Sequence, residues 1–552
     1  MESLKKEEPC LEKTSQGSSC LETVLYKSRY LYSKYNPSRS IISSIEKLNL
    51  LPGTLVILAS PALWYGLNEL QAKIPENCLI LALEAEGPLL NFSKKQLALF
   101  SKKLVKEVIL EDANDFSKLD TLLRSFANTG EYKRAVKIDF SAGVQFAKEK
   151  YEKIYSAAEE LIAQFWKNRI TLTKFGRLYN KNIFRNLLYF TNFTELNDVS
   201  KKVEKPILVC GAGESLENTL ESLKKPDDFF IIAADASLSV LEKHKLKADA
   251  VVALEAQNII QKAYIGIKNS PEYIFLDLCS RPEIPDVVHS EIIYFLTEYS
   301  SSSFIKTLSR ELTESVIPPM GSVGLAATYI ALRLRKSEET PVYLTGLDFC
   351  FTRGKTHSRG TPQHTEILLK NRKLSFLDNI KSTFSQGTFD AKNNKSVART
   401  TIALSSYAKQ FKEMFSSEKN LFSLCTNGLY LGLEIKETFE IKGSSSKTDL
   451  TIDKKRKMNI EKAKSYYENE LKALEEIKDL LINGDSSDFR TKKISLEEQL
   501  KNLIEKRDYL YLHFPDGYKY TGDISFLKRV RAEIDYFSKQ IRYGIKRSNM
   551  IK

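Results

Sequence analysis

Residues 207–216 read ILVCGAGESL, and the order of residue types in this stretch decides the fold. Four apolar residues predict a short buried strand, two glycines follow, and a helical pattern begins near Glu217. Glycines at a strand-to-helix turn let the backbone approach a phosphate, and the N–H groups that begin the helix favour that anion. The stretch therefore predicts an α/β fold with an anion site at this turn, although a tight structural turn would need the same glycines.

Further apolar runs bounded by turn residues follow at 229–233, 250–254, 273–276 and 342–345. Uniformly apolar strands that alternate with helical stretches indicate a mostly parallel sheet covered on both faces. Runs at 55–59 and 79–84, with a helical pattern between them, predict a smaller βαβ unit near the amino terminus. The fold class is therefore α/β, with a central parallel sheet, a smaller N-terminal α/β domain and a helical C-terminal region.

The domain boundaries follow from changes in this pattern. Apolar residues recur at three- and four-residue spacing from 140 to 190, which predicts a helical connector. A Ser-rich stretch and the basic run 454–457 are typical of a linker. The C-terminal helices are compatible with homo-oligomerisation or with packing alone. The predicted division is an N-terminal α/β domain 1–130, a helical connector 131–202, a central α/β domain 203–441 that carries the ligand-binding candidates, a linker 442–457 and a C-terminal helical domain 458–552.

Composition limits the partners. Of the 552 residues, 42% are hydrophobic and 28% are charged, as in globular proteins. The net charge is +13, but acidic and basic residues are interleaved, so we expect a solvated surface and no nucleic-acid partner. The seven cysteines are scattered without a CxxC pair, which favours a reducing compartment and argues against a zinc site. Residues 1–7 lack an apolar signal region and no segment is apolar enough to span a bilayer, so we expect a cytoplasmic protein without membrane insertion.

Candidate ligand-binding residues follow the predicted strands or open predicted helices. A carboxylate at a strand end is placed to reach a ribose, and a glycine-serine helix start is suited to an anion. A basic loop is suited to a phosphate. Helix capping, or close packing of a helix on the sheet, would explain the same residue types. The candidates are Gly211, Ala212, Gly213, Ser215, Asp235, Glu255, Gly321, Ser322, Arg353 and Lys355.

Two residues are candidate catalytic groups. Asp348 follows the strand at 342–345 and is suited to hold a sugar or a metal. His357 lies in the basic loop that comes next, where an imidazole can take a proton from an acceptor hydroxyl. A lone loop histidine is more often a solvent-facing side chain, so the assignment of His357 as a base depends on its neighbours.

Together these residues resemble the motility accessory factor family, whose central domain is shared with pterin diphosphokinase-like proteins. The matching motifs are the glycine turn 211–216, the strand-end Asp235, Gly-Ser-Val at 321–323, Gly-Leu-Asp at 346–348 and Lys-Thr-His at 355–357. Segments 31–37 and 171–176 also look like family landmarks, so the similarity spans roughly residues 30–440. The sequence departs from the pattern at Glu214, where proline is usual, and at Glu255, where aspartate is usual.

The resemblance implies a Rossmann-like central domain similar to that of sialyltransferases. It implies a cytoplasmic glycosyltransferase that moves a nonulosonic acid, such as pseudaminic or legionaminic acid, from a CMP-activated donor to Ser or Thr of flagellin, in support of flagellar assembly and motility. The implied partners are flagellin and the nucleotide sugar, with no tightly bound cofactor. By the same analogy the two glycine turns hold the cytidine and phosphate, and His357 or Asp348 assists the acceptor hydroxyl.

Two other functions fit the same residues. An ATP-dependent 6-hydroxymethylpterin diphosphokinase would use the central domain with magnesium held by Asp235 and Asp348. A non-catalytic flagellin-binding protein would retain the fold with a degenerate nucleotide site. Glu214 motivates this third hypothesis, because a carboxylate near a phosphate is unfavourable unless it points away.

Overall fold

The computed structural model describes residues 8–14, 21–100, 106–300, 302–351, 355–374, 383–395, 397–439, 450, 458–483 and 493–549. The chain packs as two compact units. The first is Met1–Lys174 with His513–Lys519, and the second is Phe175–Leu512 with Tyr520–Lys552. Each unit is built around its own parallel β-sheet.

The N-terminal unit combines a small antiparallel sheet with a parallel one. Its strands are β1 Cys10–Lys13, β2 Glu22–Tyr26, β3 Arg29–Tyr30, β4 Thr54–Ala59, β5 Leu79–Glu84, β6 Val108–Asp112 and β7 Arg134–Asp139. Its helices are α1 Arg39–Lys47, α2 Leu67–Lys73, α3 Gly87–Phe100 and α4 Phe116–Asn128, and α5 Lys148–Phe190 continues into the second unit. The first three strands pair antiparallel, and the other four form a parallel sheet in the order β6-β5-β4-β7.

The parallel sheet is buried on both faces, because its inner strands are apolar except at Thr54 and Glu84, which are themselves buried. All six residues of β4 are buried. Successive side chains of a strand point to opposite faces, so Ile57 joins one apolar cluster and Leu58 joins the other. The predicted βαβ unit at 55–59 and 79–84 is therefore present, within a sheet of four strands.

One part of the predicted connector is wrong. Residues 134–139, assigned from the sequence to the helical connector 131–202, form β7 and pair with β4 along six residues. The strand lies at the edge of the sheet and carries Arg134, Lys137 and Asp139. Charged residues are common on edge strands, and here they concealed the apolar pattern that identifies a buried strand.

The second unit contains the larger sheet. Its strands are β8 Thr194–Glu195, β9 Ile207–Cys210, β10 Phe230–Ala234, β11 Ala250–Ala253, β12 Tyr273–Asp277, β13 Glu291–Thr297, β14 Val316–Ile317, β15 Val342–Thr345, β16 Thr388–Lys392, β17 Val397–Thr401, β18 Leu421–Ser423 and β19 Glu434–Ile435. Its further helices are α6 Ser215–Ser222, α7 Leu238–Lys243, α8 Ser303–Glu311, α9 Val323–Leu334, α10 Pro362–Lys370, α11 Ile402–Phe415, α12 Met458–Asn483, α13 Lys493–Glu505 and α14 Ile524–Ser548.

The order of the large sheet is β14-β13-β12-β11-β10-β9-β15-β18-β19, and its strands are parallel. Apart from the short β8, which pairs with β13, the chain enters the sheet at β9, moves outward to β14 and returns to β15 on the other side of β9. The direction of winding therefore reverses between β9 and β15. In open α/β sheets, ligands bind at the carboxyl ends of the strands where this reversal occurs. The predicted α/β class and mostly parallel central sheet are confirmed.

The C-terminal helices pack against the part of α5 that lies in the second unit. The Phe184 ring contacts three other aromatic rings, with centroid separations of 4.9–6.2 Å. These are Tyr467 of α12, Phe537 of α14, and Tyr509, which lies between α13 and α14. Gly544 of α14 approaches the Phe184 carbonyl so closely that a Cβ would overlap it. No helix in the described part of the chain is long and apolar enough to cross a membrane. The predicted linker 442–457 lies outside the described residues except at Leu450.

Candidate functional site

The loops that follow β9 and β15 are in direct backbone contact at the point of reversal. Gly211 N donates to Thr345 O at 2.7 Å, and Gly213 N donates to Gly346 O at 2.8 Å. A Cβ on Gly211 would overlap the Gly346 carbonyl, and a Cβ on Gly346 would overlap the Gly211 carbonyl. Gly346 also has φ +70°, which favours glycine. These glycines therefore pack two loops together, and the Gly213 amide is already used within the protein.

Asp348 holds the start of α6. Its Oδ2 accepts hydrogen bonds from the backbone N and the Oγ of Ser215, both at 3.1 Å. Ser215 Oγ in turn accepts from Gly346 N at 2.8 Å, so one network joins both loops. Asp348 is 5% exposed, and burial raises its pKa to about 6 against the opposing effect of the Ser215 hydrogen bonds. This geometry makes Asp348 a positioning residue for the glycine turn.

The predicted basic loop lies against the glycine turn. Ser358 N donates to Ala212 O at 2.9 Å, and Ser358 Oγ donates to Gly213 O. Lys355 Nζ lies 3.1 Å from a Glu214 carboxylate oxygen and 3.3 Å from one of Glu217. Glu214, whose charge was unexpected in a phosphate site, is therefore paired with a cation. Arg353, a predicted phosphate ligand, lies outside the described residues.

His357 is half-buried in this loop. Burial lowers its pKa below the usual value, and nearby His364 lowers it further. The imidazole is therefore neutral near pH 7. Its Nδ1 lies 3.1 Å from Thr356 Oγ1, and when Nδ1–H donates to that hydroxyl, Nε2 carries the lone pair. The histidine has the protonation state that a general base requires.

A basic group surrounds the neighbouring His364. Burial is the main cause that lowers the His364 pKa. The Glu217 carboxylate opposes this by raising the pKa, and charge repulsion from Lys243, Arg359 and Lys355 lowers it further. The Lys243 side chain packs against Gly360, which brings α7 to the loop. Lys243 was not identified from the sequence, because a lysine ending a short helix is indistinguishable from a solvated one.

Asp235 and Glu255 follow the adjacent strands β10 and β11. Burial raises the pKa of Asp235 to about 6, its bond from Ala236 N opposes this, and repulsion from Glu255 adds to it. Asp235 Oδ1 accepts from Ala236 N at 2.7 Å, and Glu255 Oε1 accepts from Gln257 N at 2.8 Å. Each carboxylate therefore accepts a hydrogen bond from the backbone of its own turn. This is a structural role of the capping kind, which the sequence left open as an alternative to ligand binding.

Gly321 and Ser322 lie at the start of α9. Gly321 N donates to Gln410 Oε1 at 3.0 Å, and a Cβ on Gly321 would overlap the Tyr407 ring. Ser322 Oγ caps the helix by accepting from Leu325 N at 3.4 Å. The small residues in this turn therefore permit close packing against α11, and Gln410 occupies one of the amides considered for an anion.

A cavity of 190 Å³ lies beside the glycine turn, and Asp348 and Ser215 line it. Most of its other lining residues were not identified from the sequence. The lining residues on α6 could have been identified from the sequence, because Asn218 and Ser222 are four residues apart and share one helix face. The lining residues after β18 could not, because Thr426-Asn427 looks like any polar turn. The further lining residues are Glu214, Thr219, Cys350, Leu424, Lys436, Glu437 and Phe439.

The predicted site residues thus form two groups at the carboxyl edge of the sheet. Contacts join the first group, which consists of Gly211, Ala212, Gly213, Ser215, Asp348, Lys355 and His357. The second consists of Asp235 and Glu255 at the ends of β10 and β11, and Gly321 and Ser322 at the start of α9. Gly324 of α9 packs on Leu347, which lies next to Asp348 in the first group.

Three comparisons with known proteins bear on this arrangement. Residues 181–354 match the family model described as 6-hydroxymethylpterin diphosphokinase MptE-like. An uncharacterized protein of Treponema pallidum (strain Nichols) is 29% identical over 560 residues, covering 96% of this chain and 94% of that protein. The structure of a MAf glycosyltransferase from Magnetospirillum magneticum AMB-1 is similar with a TM-score of 0.53 and 13% identity, over 100% of this chain and 95% of that one. The chain therefore has a MAf glycosyltransferase-like fold, and its central region contains an MptE-like domain.

Proposed function

We propose that this protein is a glycosyltransferase that moves a nonulosonic acid from a CMP-activated donor to Ser or Thr hydroxyls of flagellin. The observation that carries the proposal is the half-buried, neutral His357 in a loop bonded to the glycine turn at the reversal between β9 and β15. The similarity of the whole chain to a MAf glycosyltransferase supports it at the level of the fold.

The donor phosphate is best matched by the basic group of Lys243, Lys355 and Arg359. The Gly213 and Gly321 amides already have partners within the protein, so side chains are the better candidates for charge stabilisation. Glu214 and Glu217 offset the charge of Lys355 when no donor is bound. Donor binding then requires Lys355 to exchange at least one carboxylate for the phosphate.

The transfer step follows from the state of His357. The acceptor Ser or Thr hydroxyl gives its proton to His357 Nε2 while its oxygen bonds to the anomeric carbon of the sugar. The bond between that carbon and the phosphate oxygen breaks, and its electron pair leaves with CMP. The basic group stabilises the negative charge that develops on the departing phosphate. Asp348 acts through Ser215 by holding the glycine turn in place.

The direct test is donor turnover by the purified full-length chain. CMP release from CMP-pseudaminic and CMP-legionaminic acid should be detectable, and addition of flagellin should increase it. Intact-mass measurement of flagellin should show sugar-sized increments. Asp348→Asn is a useful variant, because it keeps an acceptor for Ser215 and should retain activity if Asp348 only positions the turn. No CMP release and no flagellin modification with either donor would reject the proposal.

The second candidate is a 6-hydroxymethylpterin diphosphokinase, favoured by the family match over residues 181–354. In that reaction a diphosphate passes from ATP to the pterin hydroxyl, and the magnesium ligands predicted from the sequence are Asp235 and Asp348. Among the described residues, no group of three or more His, Cys, Asp or Glu side chains could hold a metal ion, so the structure does not add a fit for magnesium to this candidate. Incubation with ATP, magnesium and 6-hydroxymethylpterin should then release AMP. AMP release that depends on the pterin, without CMP-sugar turnover, would replace the first proposal with this one.

A further inference from the structure

A basic groove of 930 Å³ lies at the far edge of the large sheet, between α8, α12 and the end of α13. Lys306 and Arg310 of α8 line one side, four residues apart on the same helix face. Lys462 of α12 and Lys506 line the other side. The groove contains five basic and two acidic residues, so it is strongly positive.

The two carboxylates of the groove are already engaged. Glu470 is 6% exposed, accepts from Tyr509 OH at 2.6 Å and lies 3.1 Å from Arg507 Nε. Glu311 pairs with Arg310 at 2.7 Å. In contrast, Lys306, Lys462 and Lys506 are exposed, and the structure gives them no ion pair among the described residues. Lys306 also interacts electrostatically with the buried Asp508 carboxylate. The three lysine side chains are therefore exposed to solvent, and the carboxylates near them already have partners within the protein.

The groove is remote from the candidate site. α8 follows β13, and five strand spacings separate β13 from β15. At the usual spacing of neighbouring strands this is roughly 24 Å. A small donor held at the β9–β15 reversal does not extend that far, so the groove is suited to a different and larger ligand.

The chemistry of the groove favours carboxylates over phosphate. The amides at the start of α8 would ordinarily bind a phosphate, but the Ser303 and Phe304 amides donate to the Asp508 carboxylate at 2.6 and 3.1 Å. Mobile lysines on two sides of an extended groove can follow a flexible chain of negative charges without a fixed geometry. A volume of 930 Å³ also exceeds the needs of a single inorganic anion.

We propose that this groove binds an acidic polypeptide segment of a partner protein. The lysines of the groove attract the carboxylates of the segment. The partner protein is thereby bound at a surface that is separate from the candidate site. This interaction is independent of the proposed transferase activity, because no residue of the groove belongs to the candidate site.

The test is fluorescence anisotropy with a fluorescein-labelled hexaglutamate peptide and the full-length protein. Binding should be measurable in low salt and should weaken as salt is raised. Lys306→Glu/Lys462→Glu should weaken it at least tenfold. Lys94→Glu/Lys95→Glu, which makes the same charge change on exposed positions of α3, should leave it unchanged. Lys306→Gln/Lys462→Gln gives a second variant without charge reversal, and thermal melting checks that every variant is folded.

Several outcomes would overturn the proposal. Equal weakening by the groove and α3 variants would show attraction to net charge alone. Unchanged binding in both groove variants would exclude the groove. Tighter binding of tripolyphosphate or of a single-stranded oligothymidine than of hexaglutamate, lost in the groove variants, would assign the groove to a phosphate-bearing ligand instead.

Discussion

The two parallel sheets of this protein share a topology but differ at the position where a ligand is expected. In the N-terminal sheet the chain starts at β4, moves to β6 and returns to β7, so the reversal lies between β4 and β7. In the large sheet it lies between β9 and β15. Both positions satisfy the general rule for ligand sites in α/β sheets. Strand order alone therefore does not distinguish the two.

Side chains distinguish them. In the N-terminal unit, Ser60 Oγ donates to Glu84 at 2.9 Å, Tyr151 OH donates to the same carboxylate at 3.0 Å, and Ser141 Oγ lies 3.2 Å from Ser60 Oγ. Ser60, Glu84 and Tyr151 are at most 1% exposed, so their own network fills the position. At the β9–β15 reversal a 190 Å³ cavity remains beside Ser215 and Asp348, and His357 lies half-buried in the adjoining loop, outside the lining of that cavity. The comparison shows that the reversal provides a location, and that side-chain packing determines whether a ligand can use it.

The largest effect is expected from Gly346→Ala. A Cβ there combines a left-handed backbone with overlap of the Gly211 carbonyl, at a cost of about 4 kcal/mol in unfolding free energy. Gly266→Ala is the matched control, since Gly266 has φ +82° with open space around it and should cost about 1 kcal/mol. Urea denaturation measures both. Equal losses in the two variants would contradict the close contact of the β9 and β15 loops.

His357→Ala should reduce turnover of the donor about 1000-fold if the imidazole is the general base. The pH profile of wild-type turnover should rise with pH through a value below the usual histidine pKa and then level off, because the deprotonated imidazole is the active form. His289→Ala is the control, because it removes an exposed imidazole that belongs to neither group of site residues and should leave turnover unchanged. Normal turnover by the His357→Ala variant would show that His357 is not the general base.

Glu84→Gln tests the buried hydrogen-bond network that occupies the β4–β7 reversal of the N-terminal unit. Burial raises the Glu84 pKa to about 7 from 4.5, so the folded unit prefers the protonated form. The contribution of Glu84 to stability is greatest below pH 4.5 and is lost as pH rises from 4.5 through 7, by about 3 kcal/mol. The glutamine variant should lack this decline. Hydrogen exchange of β5 amides at pH 5 and pH 8 measures it, and parallel declines in both proteins would refute the buried-carboxyl explanation.

Lys355→Ala should have the smallest effect of the four, an increase of about tenfold in KM for the donor with little change in kcat. The reason is that Lys355 is one of three basic side chains near the loop and is shared with Glu214 and Glu217. Lys355→Arg should restore most of the affinity. An unchanged KM in Lys355→Ala would place the donor phosphate elsewhere.

Much of the fold was predictable because its inner strands are uniformly apolar. The runs predicted at 207–210, 229–233 and 342–345 correspond to β9, β10 and β15, and they are visible without any knowledge of their partners. β7 was missed because an edge strand tolerates charges. In the candidate site, the glycine turn, Asp348 and the loop of His357 were all identified from the sequence. In the structure, Asp348 and the loop of His357 are both hydrogen-bonded to the glycine turn and the helix that it opens. Their roles were harder to predict, since a glycine that packs two loops and a glycine that admits a phosphate look the same.

The sequence by itself determined that two parallel sheets form and which residues end their strands, because hydrophobic periodicity and turn chemistry are local properties. Only the tertiary structure decided which strand ends meet. It joined Ser215 to Asp348 across 133 positions and Lys355 to Glu214 across 141. In the N-terminal sheet, buried side chains around Glu84 occupy the position of the reversal, whereas in the large sheet a cavity remains beside Asp348. These outcomes depend on packing between distant segments, where burial and hydrogen-bond partners are set by neighbours that no local pattern specifies.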